Sequence, residues 1–392
     1  MGATSSGTTR DLRIDFFRGL ALIFIFIDHI PGNGLASFTL RNFGFADAAE
    51  VFVLLAGYSA FLAYGRTFDG QGFKAGTGRV LERVRDIYLW HLGLVALCAV
   101  GLTVVATVFE SPSYVKNIGV HVFSLEPMLS TVLAAVLVNQ PNMLNILPLY
   151  IVLLLVWLPF VLWLLPRRPW VVLAVSVGIW AAANALSLNL PSQQNSRGWV
   201  FNPFAWQLLI TIGALAAHFY RKGAITLSRP LLCAALAYLV FACLVAAPWR
   251  QIPALQSYVL IPREMLGPMS KAYVSPWRLA HVVALGYLAL ILLSPQSGFL
   301  SRAWAEGIGR CGRHSLEIFS LGTVLSFTGW VVLSESGNGY GSQALVNLVG
   351  IGILWGTAWG LARRGRVSDD EITLLQSMRK HIADWRSQLQ RV

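Results

Sequence analysis

The sequence predicts an all-α fold, a polytopic integral membrane helix bundle with about ten transmembrane helices and with both termini in the cytoplasm. Of its 392 residues, 56% are hydrophobic and only 12% are charged, whereas an ordinary soluble domain is about 25% charged. Mean hydropathy is +0.61. Several apolar runs also approach the roughly 20 residues that a helix needs to cross the hydrocarbon layer.

The net charge of +12 fits the same class of protein. In a polytopic protein an excess of Lys and Arg marks the cytoplasmic loops, so we expect a lipid bilayer as partner and no nucleic acid. The cysteines, Cys98, Cys233, Cys243 and Cys311, have no metal-ligand spacing, and most lie in apolar runs where cysteine behaves as a small hydrophobic residue. Nothing in the sequence specifies an oligomeric state.

The candidate spans follow one another along the chain. They occupy residues 14–31, 45–65, 86–109, 144–165, 169–188, 204–221, 229–247, 278–294, 314–334 and 343–362. A further run at 129–138 is short and lies between Pro127 and Pro141, which favours a re-entrant or interfacial segment. We therefore divide the chain into one transmembrane domain, residues 1–362, and a helical cytoplasmic tail, residues 363–392.

The basic residues provide an independent test of this count. With ten spans and a cytoplasmic N-terminus, 23 Lys and Arg residues lie inside and 7 outside. Counting 129–138 as a span would instead place 13 inside and 17 outside, against the positive-inside rule. Ten spans with both termini inside is the prediction.

The first span carries ionisable residues at both ends of the stretch "LRIDFFRGLALIFIFIDH". Arg18 and His29 are eleven residues apart, so on a helix they lie about 20° apart in azimuth and about 16 Å apart along the axis. Asp15 precedes Arg18 by three residues and can pair with it. Ionisable residues within a span mark functional sites by default, so we predict one site at each end of this helix face.

The second span begins "ADAAEVF", with Asp47 and Glu50 at the level of His29. A carboxylate at that level could orient the imidazole, as the third member of a catalytic triad does. Glu50 is the preferred partner because it lies deeper than Asp47, which could simply cap the helix. Asp28 is offset by about 100° from His29 on the helix and is the second choice.

A basic cluster precedes the third span in "GRVLERVRDIYLWH". Arg79 and Arg83 share a helix face, Arg85 is nearby, and the cluster could bind phosphates from the cytosol. His91 lies in the first turns of the span and could line the same cavity. A cluster that only sets membrane orientation is the alternative.

Two outer loops, at about 189–203 and 248–277, combine aromatic and planar polar residues suited to sugars. Trp199, Asn202, Trp206 and Gln207 are the candidate contacts, and an aromatic belt at the membrane interface is the alternative for each tryptophan. No metal-binding, P-loop or nucleophile-elbow motif has a suitable context. A histidine reached from outside and a basic cluster reached from inside suit either group transfer across the membrane or a proton-coupled transporter.

The motif Asp15-x-x-Arg18-Gly19, followed by an apolar helix and His29, closely resembles the signature of the membrane acyltransferase-3 superfamily. More narrowly, "RDLRIDFFRGLALIFIFIDHIPGN", "ILPLYIVLLL" and "WVFNPFAWQLL" resemble the OpgC branch, which adds succinyl groups to osmoregulated periplasmic glucans. The wider superfamily carries Arg-x-x-Arg before an Ile-x-Pro at the third span. Here Asp86 occupies the second arginine position and the proline is absent.

The resemblance implies an enzyme of the bacterial inner membrane, a succinyl-CoA-dependent O-acyltransferase acting on a periplasmic glucan. No cofactor would be bound permanently, because acyl-CoA is the donor substrate, and no metal is expected. His29 would be the catalytic base, oriented by Glu50 or Asp28. The residues expected at CoA are Arg18, Arg79, Arg83, Arg85 and His91. Those expected at the acyl carboxylate or glucan are Asp47, Arg41, Arg197, Trp199, Asn202, Trp206 and Gln207. The alternatives are another acyl group or cell-envelope glycan, or a proton-coupled glucan or lipid transporter.

Overall fold

The structure, a computed structural model, describes residues 10–389, with side chains for residues 10–364. This part of the chain is helical and contains no strand. Its α-helices in chain order are α1 Leu12–Asp28, α2 Ala48–Val108, α3 Ser113–Lys116, α4 Val122–Leu125, α5 Pro127–Ala135, α6 Ile146–Val152, α7 Leu158–Leu164, α8 Pro169–Leu186, α9 Pro203–Arg221, α10 Arg229–Ala246, α11 Pro276–Leu292, α12 Ala303–Arg313, α13 Ser315–Glu335 and α14 Tyr340–Leu389.

The described residues also form several shorter helical turns. A π-helical turn, Leu153–Trp157, joins α6 to α7. The 3₁₀ turns are Gly34–Phe38, Leu40–Asn42, Pro248–Gln251, Pro253–Leu255 and Arg263–Leu266.

Within the described residues, seven helical segments are long and apolar enough to cross a membrane. They are Ala48–Val108, Ile146–Leu164, Pro169–Leu186, Pro203–Arg221, Arg229–Gln251, Ser315–Glu335 and Tyr340–Arg364. The helices α1 and α11 have 17 residues each and are not among these seven segments. The predicted all-helical class is therefore confirmed, whereas the predicted count of about ten spans and the cytoplasmic side of both termini stay predictions.

The second and third predicted spans form a single long helix, α2, which reverses direction at Gly72. Gly72 has φ +85°, a backbone conformation that glycine adopts without steric cost. Arg79 Nη1 donates a hydrogen bond of 3.2 Å to Thr67 Oγ1, although residues twelve apart in a straight helix would be about 18 Å apart. The arms 48–71 and 73–108 therefore run back against each other as a helical hairpin.

Two short helices refine the loops. The run at 129–138 contributes the nine-residue α5, which is not among the segments long enough to span, as its length predicted. The helix α12 was not expected, because it lies in a polar stretch between two spans. It packs on α1, where a side chain on Gly19 would overlap the carbonyl oxygen of Ile308.

The loops gather at two opposite ends of the bundle. At one end, the guanidinium of Arg13 lies 4.5 Å from the Tyr220 ring centroid, and Arg313 Nε is 3.1 Å from Asp15 Oδ2. At the other end, Asn33 exchanges hydrogen bonds of 2.9 Å with Asn347. His29 and Arg18 lie towards different ends, and this separation determines which groups each of them can meet.

Candidate functional site

His29 ends helix α1 as its C-cap residue. Its Nδ1 is buried and has no hydrogen-bond partner in the structure. The ring borders a cavity of about 340 Å³, called here the His29 cavity. Because Nδ1 is enclosed, Nε2 is the nitrogen that a ligand in this cavity could reach.

The His29 cavity is lined by charged groups from distant parts of the chain. Its wall includes Asp28, Arg41, Asp47, Met143, Asn145, Val200, Phe201, Lys271 and Phe319. Four of these wall residues carry a charge, namely Asp28, Arg41, Asp47 and Lys271. The imidazole therefore lies in a polar chamber within an otherwise apolar bundle.

Asp47 and Glu50 both take part in capping helix α2. Asp47 Oδ1 accepts a 2.9 Å hydrogen bond from the Ala49 N–H, and Glu50 Oε2 accepts one of 3.0 Å from the Asp47 N–H. This reciprocal arrangement is a capping box. The alternative role given to Asp47, a helix cap, is confirmed.

The expected pairing of Glu50 with His29 is not formed. The carboxylate is fully buried and accepts a 2.6 Å hydrogen bond from Arg278 Nε. Arg278, on α11, lies also 3.4 Å from Asp47 Oδ2. A buried carboxylate requires a partner. The packing of α11 on α2 supplies the guanidinium of Arg278. Residue spacing within one segment could not reveal this contact.

Asp28 is likewise directed away from the ring. It accepts a 2.6 Å hydrogen bond from Thr39 Oγ1 and lies 4.0 Å from Arg41 Nη1. Within the described residues, no carboxylate is hydrogen-bonded to His29. Among the described residues Arg41 makes no side-chain hydrogen bond, and its ion pair with Asp28 is long, so its guanidinium keeps N–H donors for a ligand in the cavity.

A second cavity, of about 230 Å³ and called here the Arg18 cavity, lies between α1, both arms of α2, α6 and α13. Arg18 and Arg83 line it together with Ser59 and Tyr150. Arg18 Nη2 donates to Ser59 Oγ at 2.5 Å, whereas no described residue forms a hydrogen bond or ion pair with Arg83. The reversal of α2 at Gly72 is what brings Arg83 beside Arg18.

Other residues expected near CoA lie elsewhere. Arg79 is exposed and bonded to Thr67, and Arg85 pairs with Asp86 at 2.9 Å on the surface. His91 is fully buried with neither ring nitrogen bonded, and it lines neither cavity. Asp15, expected to pair with Arg18, instead pairs with Arg10 and Arg313. Only Arg18 and Arg83 of the predicted set share a cavity.

The two cavities meet at Phe319. This α13 side chain is buried and lines both of them. Successive residues of α6, Ile146 and Leu147, line the His29 cavity and the Arg18 cavity respectively. The cavities are therefore adjacent in the bundle and share Phe319 as a wall residue.

The outer-loop residues predicted to bind sugar are mostly structural. Trp199 Nε1 donates to the Pro191 carbonyl, Asn202 caps α9, Trp206 Nε1 donates to the Lys271 carbonyl, and Gln207 bonds Ser176. All four side chains are buried. Arg197 is exposed and does not line the His29 cavity. The polar atoms of the four buried side chains are hydrogen-bonded within the protein because the loops fold inward onto α8 and α9.

The comparison with protein families decides to which family the chain belongs. A model described as OpgC protein matches residues 10–366, which is nearly the whole chain. The chain belongs to the OpgC family. No curated protein and no solved structure matched it. Membership in OpgC implies a transferase and suggests one that modifies glucans.

The residues that sequence reasoning missed in this OpgC chain are Lys271, Arg278, Phe201, Asn145 and Phe319. One signal was available, because Arg278 lies at the start of an apolar run, and an ionisable residue there marks a functional or paired group. Lys271 gave no such signal, because it lies in a long polar loop. Its contact with Asp47 joins residues 224 positions apart.

Proposed function

We propose that this OpgC chain transfers an acyl group, succinyl in the first instance, from cytosolic acyl-CoA to hydroxyl groups of periplasmic glucans. The observation that carries the proposal is the pair of adjacent cavities, one containing two arginines and the other containing His29, which share the Phe319 side chain. A long donor with a phosphate-bearing head and a reactive tail would fill both.

The donor half of the mechanism rests on the Arg18 cavity. Arg83 has unused donors there, and Arg18 retains donors besides those bonded to Ser59 and the Leu55 carbonyl. Guanidinium groups bind phosphates through charge-assisted, often bidentate hydrogen bonds. The CoA phosphates would bind these arginines, and the pantetheine arm would pass Phe319 to bring the thioester to His29, about 16 Å along the α1 axis.

The acceptor half rests on the His29 cavity. His29 Nε2 would take the proton from a glucose hydroxyl as its oxygen attacks the thioester carbonyl, a role for which imidazole is the commonest side chain. The guanidinium of Arg41, whose ion pair with Asp28 is long at 4.0 Å, would bind the distal carboxylate of a succinyl group. In this mechanism Glu50 does not orient the imidazole, because its carboxylate is hydrogen-bonded to Arg278.

The proposed topology has ten crossings of the bacterial inner membrane with both termini in the cytoplasm. The seven long segments would become ten once α1, α11 and the second arm of α2 are added. The Arg18 end carries most of the basic residues, as the positive-inside rule requires of a cytoplasmic face. His29 would then face the periplasm, where the glucan lies.

The decisive test is acyl transfer by the purified protein. With succinyl-CoA and a glucan, we expect His29→Ala to lower the rate of glucan acylation about 10²- to 10⁴-fold, the usual contribution of a general base. His121→Ala, a loop histidine that lines neither cavity, should leave the rate unchanged. The readouts are CoA release and mass spectrometry of the glucan.

Two results would overturn the proposal. Undiminished acylation by His29→Ala would remove the histidine from the chemistry. Gradient-dependent movement of glucan in vesicles, without any acyl-CoA-dependent modification, would support the transporter class instead.

A further inference from the structure

We propose that Lys271 is a catalytic residue that stabilises the oxyanion of the tetrahedral intermediate formed next to His29. The inference rests on the proposed acyl transfer and assigns it a residue that neither the sequence motifs nor the family match indicates. It arises from one juxtaposition: the Lys271 ammonium and the His29 ring line the same cavity.

The position of Lys271 is fixed from three sides. Its carbonyl accepts a 3.1 Å hydrogen bond from Trp206 Nε1, its Nζ lies 2.6 Å from Asp47 Oδ2, and its Nζ stands 5.2 Å from the Phe201 ring centroid. A catalytic charge is most effective when it needs no reorganisation during the reaction. The buried tryptophan and the helix cap thus hold a cation in place at the cavity wall.

Lys271 also retains capacity for a ligand. An ammonium group has three N–H donors. Among the described residues, Asp47 is the acceptor for the ammonium group of Lys271. The side chain is 37% exposed, although it lies beside buried residues. Asp47 does not depend on Lys271 alone, because the Ala49 N–H and Arg278 also contact that carboxylate.

The reaction creates a charge that requires such a group. When a glucan hydroxyl oxygen bonds to the thioester carbon, its proton passes to His29 and the carbonyl electron pair moves onto oxygen as an oxyanion. The intermediate then re-forms the carbonyl as the C–S bond breaks, and the proton on His29 passes to the departing CoA thiolate. Lys271 would donate to the oxyanion between these two steps.

The other cations near the site suit different roles. Arg278 is only 9% exposed, is bonded to Glu50, and does not line the cavity. Arg41 is 51% exposed and 4.0 Å from Asp28, without a partner that fixes its direction. Arg41 can therefore follow an acyl tail, whereas Lys271 is fixed in the way that oxyanion stabilisation requires.

The test compares Lys271→Met with Arg41→Met in the full-length protein, using succinyl-CoA and acetyl-CoA as donors and a glucan as acceptor. We expect Lys271→Met to lower kcat about 10²- to 10³-fold with both donors, the usual loss on removing one oxyanion donor, with little change in KM. Arg41→Met should impair succinyl transfer and spare acetyl transfer. Lys271→Arg, which keeps the charge, should recover part of the lost kcat.

The controls separate this inference from the proposed function. Arg263→Met removes an exposed cation from the same loop and should leave kcat unchanged, and gel filtration verifies that each variant is folded. If the wild type transfers acyl groups and Lys271→Met matches it, the oxyanion role is overturned. A loss confined to succinyl-CoA would also overturn it, because Lys271 would then bind the acyl tail. If the wild type transfers nothing from acyl-CoA, the proposed function itself fails.

Discussion

Glu50, Arg278, His29 and Arg83 show two different environments of ionisable residues in this bundle. Glu50 and Arg278 are buried and satisfy each other at 2.6 Å, which removes the cost of an unpaired charge in an apolar region. His29 and Arg83 lack partners among the described residues and line cavities instead. Ionisable side chains without partners inside a membrane protein indicate function more strongly than paired ones, and this contrast selects them for mutation.

Arg83 and its near neighbour Arg85 provide a matched pair for the donor site. Arg83 lines the Arg18 cavity, whereas Arg85 pairs with Asp86 on the surface. We expect Arg83→Met to raise KM for acyl-CoA about tenfold or more, because a hydrogen bond to a charged group contributes about 1.5–3 kcal/mol. Arg85→Met should leave it unchanged. Steady-state kinetics measure both, and equal effects of the two variants would contradict the assignment.

At the scale of helices, glycines allow the backbones beside the site to approach closely. A side chain on Gly57 of α2 would overlap the Ile210 carbonyl of α9, and one on Gly213 of α9 would overlap the Leu54 carbonyl of α2. Small residues are the usual means of close helix packing in membranes. The α2–α9 contact joins the helix that Asp47 caps to the helix that carries Trp206, whose Nε1 donates to the Lys271 carbonyl.

Gly57→Ala should therefore destabilise the protein, by about 1–3 kcal/mol if the helices separate to relieve the overlap. Gly101→Ala is the control, because a methyl group there would meet no atom within 4 Å. That substitution should be neutral or stabilising by about 0.5–1 kcal/mol, since alanine favours helix over glycine. Thermal unfolding in detergent, followed by tryptophan fluorescence, measures the difference. A Gly57→Ala variant as stable as the wild type would show that the contact is loose.

At the scale of the whole molecule, the two cavities give each end of the bundle its own chemistry. The Arg18 cavity has a basic character and the His29 cavity has a balanced set of charges. In the proposed function, the cytosolic donor and the periplasmic acceptor would meet near Phe319, which lines both cavities. This arrangement is meaningful only if the two ends face opposite sides of the membrane.

Single cysteines introduced into a cysteine-free background test the sidedness. Ser196 and Lys222 are both exposed and lie on opposite sides in the ten-span topology. We expect a membrane-impermeant thiol reagent to label Ser196→Cys in intact spheroplasts, and Lys222→Cys only after permeabilisation. Labelling of both without permeabilisation would contradict a crossing between them, and the reverse pattern would contradict a cytoplasmic N-terminus.

The sequence alone predicted most of the long helices and placed ionisable residues at both ends of α1. Apolar runs and their charged or proline-containing borders gave the limits of α8, α9 and α13 to within one or two residues, because hydrophobic length and capping are local properties. The eleven-residue spacing of Arg18 and His29 likewise follows from helix geometry.

The tertiary structure alone decided which groups surround His29. The pairing of Glu50 with Arg278, the inward turn of Trp199 and Trp206, and the placement of Lys271 beside Asp47 all join segments far apart in the chain. Contacts of that kind depend on how helices pack, and no periodicity within one segment encodes them. The same applies to Arg83, which reaches Arg18 only because α2 reverses at Gly72.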